Sequence, residues 1–245
     1  MISAERLDRA LVARGLVSSR ARGEALIRDG GVAVNGAVTT DKSFLVGAAD
    51  AIILLQEDIP WVSRAALKLT HALDHWHIDP KGKVVLDIGA STGGFTEVLL
   101  ARGARKVYAL DVGHGQLASK LLASPKVVNM EGVHIKNVSV KDFAEPIDMI
   151  VVDVSFISLE KVLPKTKELL RTGGTLIALI KPQFEVGRER IKKGIVSDSK
   201  LHGAVVERIE ACATELGFVV EGTIASPILG GDGNKEFLLY ADVVH

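Results

Sequence analysis

Val84-Val-Leu-Asp-Ile-Gly-Ala-Ser-Thr-Gly-Gly-Phe-Thr96 decides the fold. Val84, Val85, Leu86 and Ile88 form the short apolar run of a strand covered on both faces. Gly89, Gly93 and Gly94 allow a tight turn and let a ligand approach the backbone. A helix is predicted from near Phe95, with its first N–H groups facing the turn. Strand, acid, glycine turn and helix outline a nucleotide-type site. Three other readings compete. The dinucleotide fingerprint G-x-G-x-x-G does not fit glycines at 89, 93 and 94; Gly113-His-Gly115-Gln-Leu-Ala118 fits its relaxed form better. Gly89-Ala-Ser91-Thr-Gly93 spells the nucleophile elbow G-x-S-x-G, with His202 late enough to complete a triad. That reading leaves Asp87 and Gly94 unexplained. The third, a plain strand-to-helix turn, seldom needs so many glycines beside a strand-end carboxylate.

Asp87-x-Gly89 followed by paired glycines resembles motif I of S-adenosylmethionine-dependent methyltransferases. The resemblance implies S-adenosylmethionine as cofactor, held by Asp87, Gly89, Ala90, Ser91, Thr92, Gly93 and Gly94.

Composition bounds the alternatives. The 245 residues suffice for one large or two modest domains with a core, and 47% apolar content is that of a globular protein. Thirty basic and thirty acidic side chains cancel, so no overall field advertises a nucleic-acid partner. A single cysteine, Cys212, excludes an intramolecular disulfide framework and suits a reducing, cytoplasmic setting; it reads as a small apolar filler on a helix. Met1–Arg14 carries charges throughout, unlike a signal peptide, and the longest apolar runs are strand length.

The first sixty residues read as helix, helix and small hairpin. Arg6–Ala13 places Leu7 and Leu11 on one face and ends at Gly15. Ser18 or Ser19 caps a second helix to Asp29, closed by Gly30-Gly31. Val32–Gly36 is a strand with an Asn-Gly turn, and Ala51–Leu55 a further strand. RLDRALVARGL, SRARGEALIRDGGVAVNG, then Ser43 and Val46 together resemble the S4-type RNA-binding domain, an α+β unit with the αL motif. Residues 1–28 hold six arginines against three acids. If Arg6, Arg9, Arg20 and Arg22 share a face, they grip phosphates.

Gln56–Pro60 reads as a hinge, giving an RNA-binding domain at 1–57, a linker at 58–64 and a second domain at 65–245. Ser63 is a candidate cap for a helix carrying Ala65, Leu69, Ala72 and Trp76 at helical spacing. His71 and His75 at i, i+4 lack a third ligand, so no metal is expected. From Lys83 onward strands and helices alternate, with helices expected at 96–101, 116–122, 159–170 and 201–216. This predicts an α/β, doubly wound Rossmann-like sheet of seven strands. Charged residues fall at its strand ends: Asp111, Asp153, Lys181 before Pro182, and Glu236, with Lys68 on the leading helix. Asp111, about twenty residues after the glycine turn, is placed to accept ribose hydroxyls.

A Lys–Asp–Lys–Glu set on this fold resembles the FtsJ-like ribose 2′-O-methyltransferases. The stretches WVSRAALKL, DIGASTGGFT, ALDVGHGQL, VVDVSFISL, LIKPQFEVGRE, KGIVSDSKLH and SPILGGDGNKEFLL resemble the TlyA family, called hemolysins in places, over essentially the full chain. The chain departs from that family at Ala65-Ala66 and at Val133-His134. The resemblance implies 2′-O-methylation of cytidine in ribosomal RNA, and the positions of the two termini resemble the short type, associated with the large subunit. It also implies Lys68, Asp153, Lys181 and Glu236 as catalytic, Val112 and Asp153 beside the cofactor, Arg64 among the RNA contacts, and a ribosomal subunit or its RNA as partner. In that scheme Lys181 takes or stabilises the 2′-hydroxyl proton, its pKa held down by Lys68 and partial burial.

Overall fold

The structure, a computed structural model, describes residues 4–17, 19–28, 30–55, 60–187, 191, 194–230 and 233–244. The chain divides into two compact units, residues 1–63 and 64–245.

In the first unit, β1 (Glu5–Arg6) runs into α1 (Leu7–Ala13), followed by α2 (Arg20–Arg28), β2 (Val32–Val34), β3 (Ala37–Val38), β4 (Leu45–Val46) and β5 (Ile52–Leu54). Asn35 and Gly36 both take positive φ, 51° and 84°, which turns β2 back onto β3. Strands β3, β2 and β5 form one antiparallel sheet. Leu7, Leu11, Ile27 and Val32 are fully buried between it and the helices. Helix α1 starts one residue later than its sequence suggests, because Arg6 is extended and pairs with Leu45. Two-residue strands such as β1 and β4 leave no periodic signal to read. The Ser19 hydroxyl accepts from the Arg22 amide at 3.4 Å; Ser18 and residues 56–59 of the expected hinge lie outside the described residues.

The second unit opens with α3 (Ala65–His75), whose N-cap is Arg64 rather than Ser63. There follow β6 (Val84–Ile88), α4 (Gly94–Ala101), β7 (Lys106–Asp111), α5 (Ser119–Leu122), β8 (Val127–Glu131), β9 (Ile147–Val152), α6 (Leu163–Leu169), β10 (Leu170–Ile180), α7 (Pro182–Glu185), α8 (Ser199–Glu215), β11 (Val219–Ala225) and β12 (Phe237–Asp242). The seven-stranded sheet has the order β11-β12-β10-β9-β6-β7-β8, with β12 antiparallel to both neighbours and the rest parallel. All five residues of β6 are buried, as its uninterrupted apolar run requires. The helix expected over 159–170 is instead a 3-10 turn at Leu159–Lys161 followed by α6, with Pro164 in the first turn of α6. Proline carries no amide hydrogen, so it suits a fresh helix start better than a helix interior.

The chain leaves β6 toward β7 and β8 on one side, then returns to β9 on the other. The sheet therefore reverses direction between β6 and β9, and a crevice opens outside their carboxyl ends.

Asp8 is the buried charge among the described residues of the first unit. It is fully buried on α1 and contacts Arg6 at 3.0 Å and Arg20 at 2.7 Å. Burial alone raises its pKa, but the hydrogen bonds from Arg6 and Arg20 outweigh it and bring the pKa down to about 2. The folded value lies below the unfolded one, so the stabilisation is present above about pH 4 and fades as pH falls through 2. Asp8→Asn should lower the melting temperature of the first unit by about 5 °C at pH 7. That gap should narrow at pH 2.5. A gap of the same size at both pH values, followed by thermal denaturation, would show that the arginines are not what Asp8 serves.

Candidate functional site

Gly89 follows β6 at φ +86°, and a Cβ there would overlap the Asp153 carbonyl oxygen. The Asp153 amide donates to Ile88 O at 2.9 Å, so the loops after β6 and β9 run in contact at the crevice. Gly93, the N-cap of α4, has φ +96°, and a Cβ there would overlap Leu121. Ser91 is left-handed too, at φ 47°. Its amide donates to Asp111 Oδ2 at 2.8 Å, while the Gly113 amide donates to Asp111 Oδ1 at 2.7 Å. Asp111 at the end of β7 thus holds the turn from the side.

Asp87 lies beneath the turn rather than on its surface. It is fully buried; Oδ2 accepts from the Thr96 hydroxyl at 2.6 Å, while Oδ1 is buried without a hydrogen bond. Burial, helped by the charges of Asp153 and Asp111 and opposed by the Thr96 bond, pushes its pKa up to about 7. Ser91 is exposed, Ala90 and Gly94 are buried, Thr92 is half-buried, and Val112 presents a 65% exposed apolar side chain beyond Asp111. A nucleoside fits this donor set: bare backbone at Gly89 and Gly93, a carboxylate at Asp111, and an apolar surface at Val112. Glu131, which sequence reasoning passed over, ends β8 and accepts from the amides of Gln116 at 2.6 Å and Leu117 at 3.1 Å, fixing the loop beyond Asp111.

Beside this turn sit two buried ion pairs. Lys181 Nζ lies 2.6 Å from Asp153 Oδ1 and donates to Ser155 Oγ at 2.9 Å. Lys68 Nζ lies 2.5 Å from Glu236 Oε2. The register explains the grouping. Ile180 on β10 is opposite Phe237 on β12, so Lys181 and Glu236 are the next residues beyond that pair. Asp153 follows the last residue of β9, where Val152 pairs with Ile88. Glu236 packs so closely against Gly230 that a Cβ at 230 would overlap its Oε1. Asn234, buried, ties the surrounding loops: its side chain accepts from the Val196 amide at 3.0 Å and donates to Gly194 O at 2.9 Å. A hydroxyl brought to this edge meets an amine and a carboxylate already aligned with each other. Removing one member of such a buried pair strands its partner and costs about 3–5 kcal/mol.

Phe156, three residues after Asp153, is 90% exposed and left-handed, with φ 64°. A non-glycine residue held there costs about 1–3 kcal/mol. Its ring centroid is 5.0 Å from that of Phe184. Its only sequence signal is an aromatic shortly after a strand-end acid.

The arginines expected to share a face do so in part. Arg6 and Arg20 converge on Asp8. Arg22 instead donates to the Trp61 carbonyl. Arg9 is exposed on α1, and Arg64, in the second unit, is half-buried. Among the described residues no group of three or more His, Cys, Asp or Glu side chains could hold a metal, although His71 and His75 face each other at 6.2 Å between ring centroids.

Comparison with known proteins identifies the family of each unit. The FtsJ-like methyltransferase family model matches residues 61–243, and the S4 domain model matches residues 5–52. The chain is 40% identical to the 16S/23S rRNA (cytidine-2′-O)-methyltransferase TlyA of Mycobacterium tuberculosis, over 96% of this chain and 88% of that protein. It is 41% identical to the 23S rRNA (cytidine-2′-O)-methyltransferase TlyA of Campylobacter jejuni, over 74% of this chain and 70% of that protein. A solved structure of a hemolysin-named protein from Streptococcus thermophilus superposes with a TM-score of 0.79 at 38% identity, covering 100% of this chain and 90% of that one.

The raised pKa of Asp87 has a measurable consequence. Between about pH 4 and 7 the folded protein holds a proton that the unfolded chain has released, so stability falls as pH rises through this window. Asp87→Asn removes that titration. Its unfolding free energy relative to wild type, from urea melts, should rise between pH 5 and pH 8 by about 2–3 kcal/mol. An identical difference at both pH values would place the Asp87 titration outside this range.

Proposed function

The chain belongs to the FtsJ-like methyltransferases, in the TlyA branch with an S4 domain ahead of the methyltransferase domain, and on that basis we propose that it methylates the 2′-hydroxyl of a cytidine in ribosomal RNA, with S-adenosylmethionine as methyl donor and the large subunit as target. The observation that carries this reading is the pairing of Lys181 with Asp153 and of Lys68 with Glu236 at one sheet edge, beside a glycine turn braced by Asp111. The large-subunit assignment leans on the two TlyA relatives, one named for 23S rRNA and the other for both 16S and 23S rRNA. Work on ribosomal RNA would place the protein in the cytoplasm.

S-adenosylmethionine supplies a methyl group on a sulfonium, already a good leaving group. The backbone from Gly89 to Gly94, Asp111 and Val112 would hold its nucleoside portion, and Asp153 would stand near the positive sulfur. The protein's work is then to align the hydroxyl and remove its proton. Alignment alone lowers such barriers by about 7–11 kcal/mol at best. Lys181 takes or stabilises the 2′-hydroxyl proton, with Asp153 and Ser155 fixing the direction of its amine. Glu236 holds Lys68, and the pair positions the ribose. Phe156 offers a stacking surface to a base that has left its helix, which favours a loop or junction over plain duplex. Arg6 and Arg20, pinned by Asp8, supply local phosphate contacts on a chain of zero net charge. No described helix is long and apolar enough to cross a membrane.

Purified protein should transfer labelled methyl from S-adenosylmethionine to unmethylated large subunits, and mapping should find one 2′-O-methylcytidine. Lys181→Ala should lower transfer by about 1,000-fold, within the usual range for losing a general base, with S-adenosylmethionine affinity nearly intact by calorimetry. Joint loss of transfer and cofactor binding would count against a role for Lys181 at the ribose.

A further inference from the structure

We infer that Glu185 is a positioning residue for methyl transfer: it fastens the turn that carries Lys181 to the loop that carries Asp153, and thereby sets the amine against its carboxylate. The inference rests on the reading of Lys181 given above. Glu185 closes α7, four residues after Lys181, and its side chain is only 2% exposed. It belongs to neither ion pair at the sheet edge. Its two oxygens point across to the loop after β9. Oε1 accepts from the Leu159 amide at 2.7 Å, and Oε2 accepts from the Ser158 hydroxyl at 2.7 Å. Ser158 Oγ in turn accepts from the Glu160 amide at 3.2 Å, capping the 3-10 turn that ends the loop.

Arg208 on α8 braces the same junction. Its Nη2 donates to Glu185 O at 2.8 Å and lies 3.4 Å from Oε2, while its Nε lies 3.0 Å from Glu160. Between the two ends of this clamp the loop carries Ser155, which meets Lys181, and the left-handed Phe156, which meets Phe184 on α7. The segments Lys181–Glu185 and Asp153–Leu159 are therefore joined at three points: the Lys181 amine on Asp153 and Ser155, the two aromatic rings, and the Glu185 carboxylate on Ser158 and Leu159. The last uses a buried carboxylate whose remaining contact, Arg208, braces the same junction. If the clamp opens, Phe156 is free to leave its strained conformation, and Ser155 and Asp153 lose their fixed position over Lys181.

A carboxylate suits this place because both donors need an acceptor. Glutamine keeps one arrangement open: its oxygen accepts from the Leu159 amide, and its NH2 donates to the Ser158 hydroxyl, which can rotate to accept. Alanine keeps none. Among the described residues, the charged and titratable groups around Glu185 are Arg208 and Cys212 from α8 and Glu160 from the 3-10 turn, and Lys181 pairs with Asp153. A shift in how Lys181 titrates on changing Glu185 is then a sign that the clamp sets the Lys181–Asp153 contact.

The test compares full-length wild type, Lys181→Ala, Glu185→Ala, Glu185→Gln and Ser158→Ala. Single-turnover methyl transfer from labelled S-adenosylmethionine to unmethylated large subunits is followed across pH 6 to 10, with cofactor affinity by calorimetry and melting temperature as controls. Glu185→Ala should slow transfer by about 30-fold or more at unchanged cofactor affinity and displace the lysine limb of the pH–rate profile. Glu185→Gln should recover transfer to within about 5-fold of wild type and restore that limb. Ser158→Ala should fall between them. A Glu185→Ala enzyme with wild-type rate, or a slow one whose pH profile is unmoved and which glutamine does not rescue, overturns the inference. If the alanine variant does not fold, a Ser158→Ala enzyme with wild-type rate and an unmoved limb overturns it. An inactive wild type, or an active Lys181→Ala enzyme, instead defeats the reading of Lys181 itself.

Discussion

The site depends on one close approach, that of Gly89 to the backbone of Asp153. No side chain fits between them, because a Cβ at 89 would overlap the Asp153 carbonyl oxygen. The contact joins the loop after the first strand of the sheet to the loop after the fourth, across the point where strand order reverses. It brings the glycine turn within reach of Asp153, whose carboxylate faces Lys181. It also seals Asp87 beneath the turn, with one oxygen left unbonded. A residue larger than glycine would push the two loops apart and separate the turn from the charged edge in one step.

The charges at that edge are arranged against the ordinary economics of burial. Two lysines and two carboxylates with side chains no more than 14% exposed forgo much of their hydration, and apolar residues of similar volume often serve stability as well or better. Their presence is better explained by what they do to an incoming hydroxyl than by what they do for the fold. The fold nonetheless accommodates them locally. Gly230 makes room for the Glu236 carboxylate, and Asn234 satisfies the amide of Val196 and the carbonyl of Gly194 in the surrounding loops.

Much of this was legible in the sequence, for a physical reason in each case. A parallel strand buried on both faces must be an apolar run, so β6 announced itself. A turn that needs positive φ without Cβ must be glycine, so Gly89 and Gly93 did too. Lys181 was marked by the proline after it, and Asp153 by its place after an apolar run. What stayed hidden depends on pairing across long separations. Glu185 meets Ser158 and Leu159 from 27 and 26 residues away, and nothing local distinguishes it from a surface acid. Arg22 meets the Trp61 carbonyl, 39 residues on, a contact that its helix position alone does not announce. The break of the 159–170 segment into a 3-10 turn and α6 follows from Pro164, whose effect helical periodicity alone obscured.

Under the proposed reading, a chain with no net charge addresses a polyanion through a few placed arginines. Two of its arginines, Arg6 and Arg20, are gathered on one buried acid. Asp8 takes one contact from the extended residue before α1 and another from the first residue of α2. A carboxylate between two guanidiniums neutralises one of them, which lowers the total charge. In exchange it fixes two forked donors at a set separation, each still partly exposed: 37% for the Arg6 side chain and 49% for Arg20. A flexible arginine must lose its rotamer freedom on meeting a phosphate, whereas one already held by a buried acid has lost part of it on folding. Preorganisation of this kind favours a defined RNA shape over any run of phosphates, and a general basic surface offers no such discrimination.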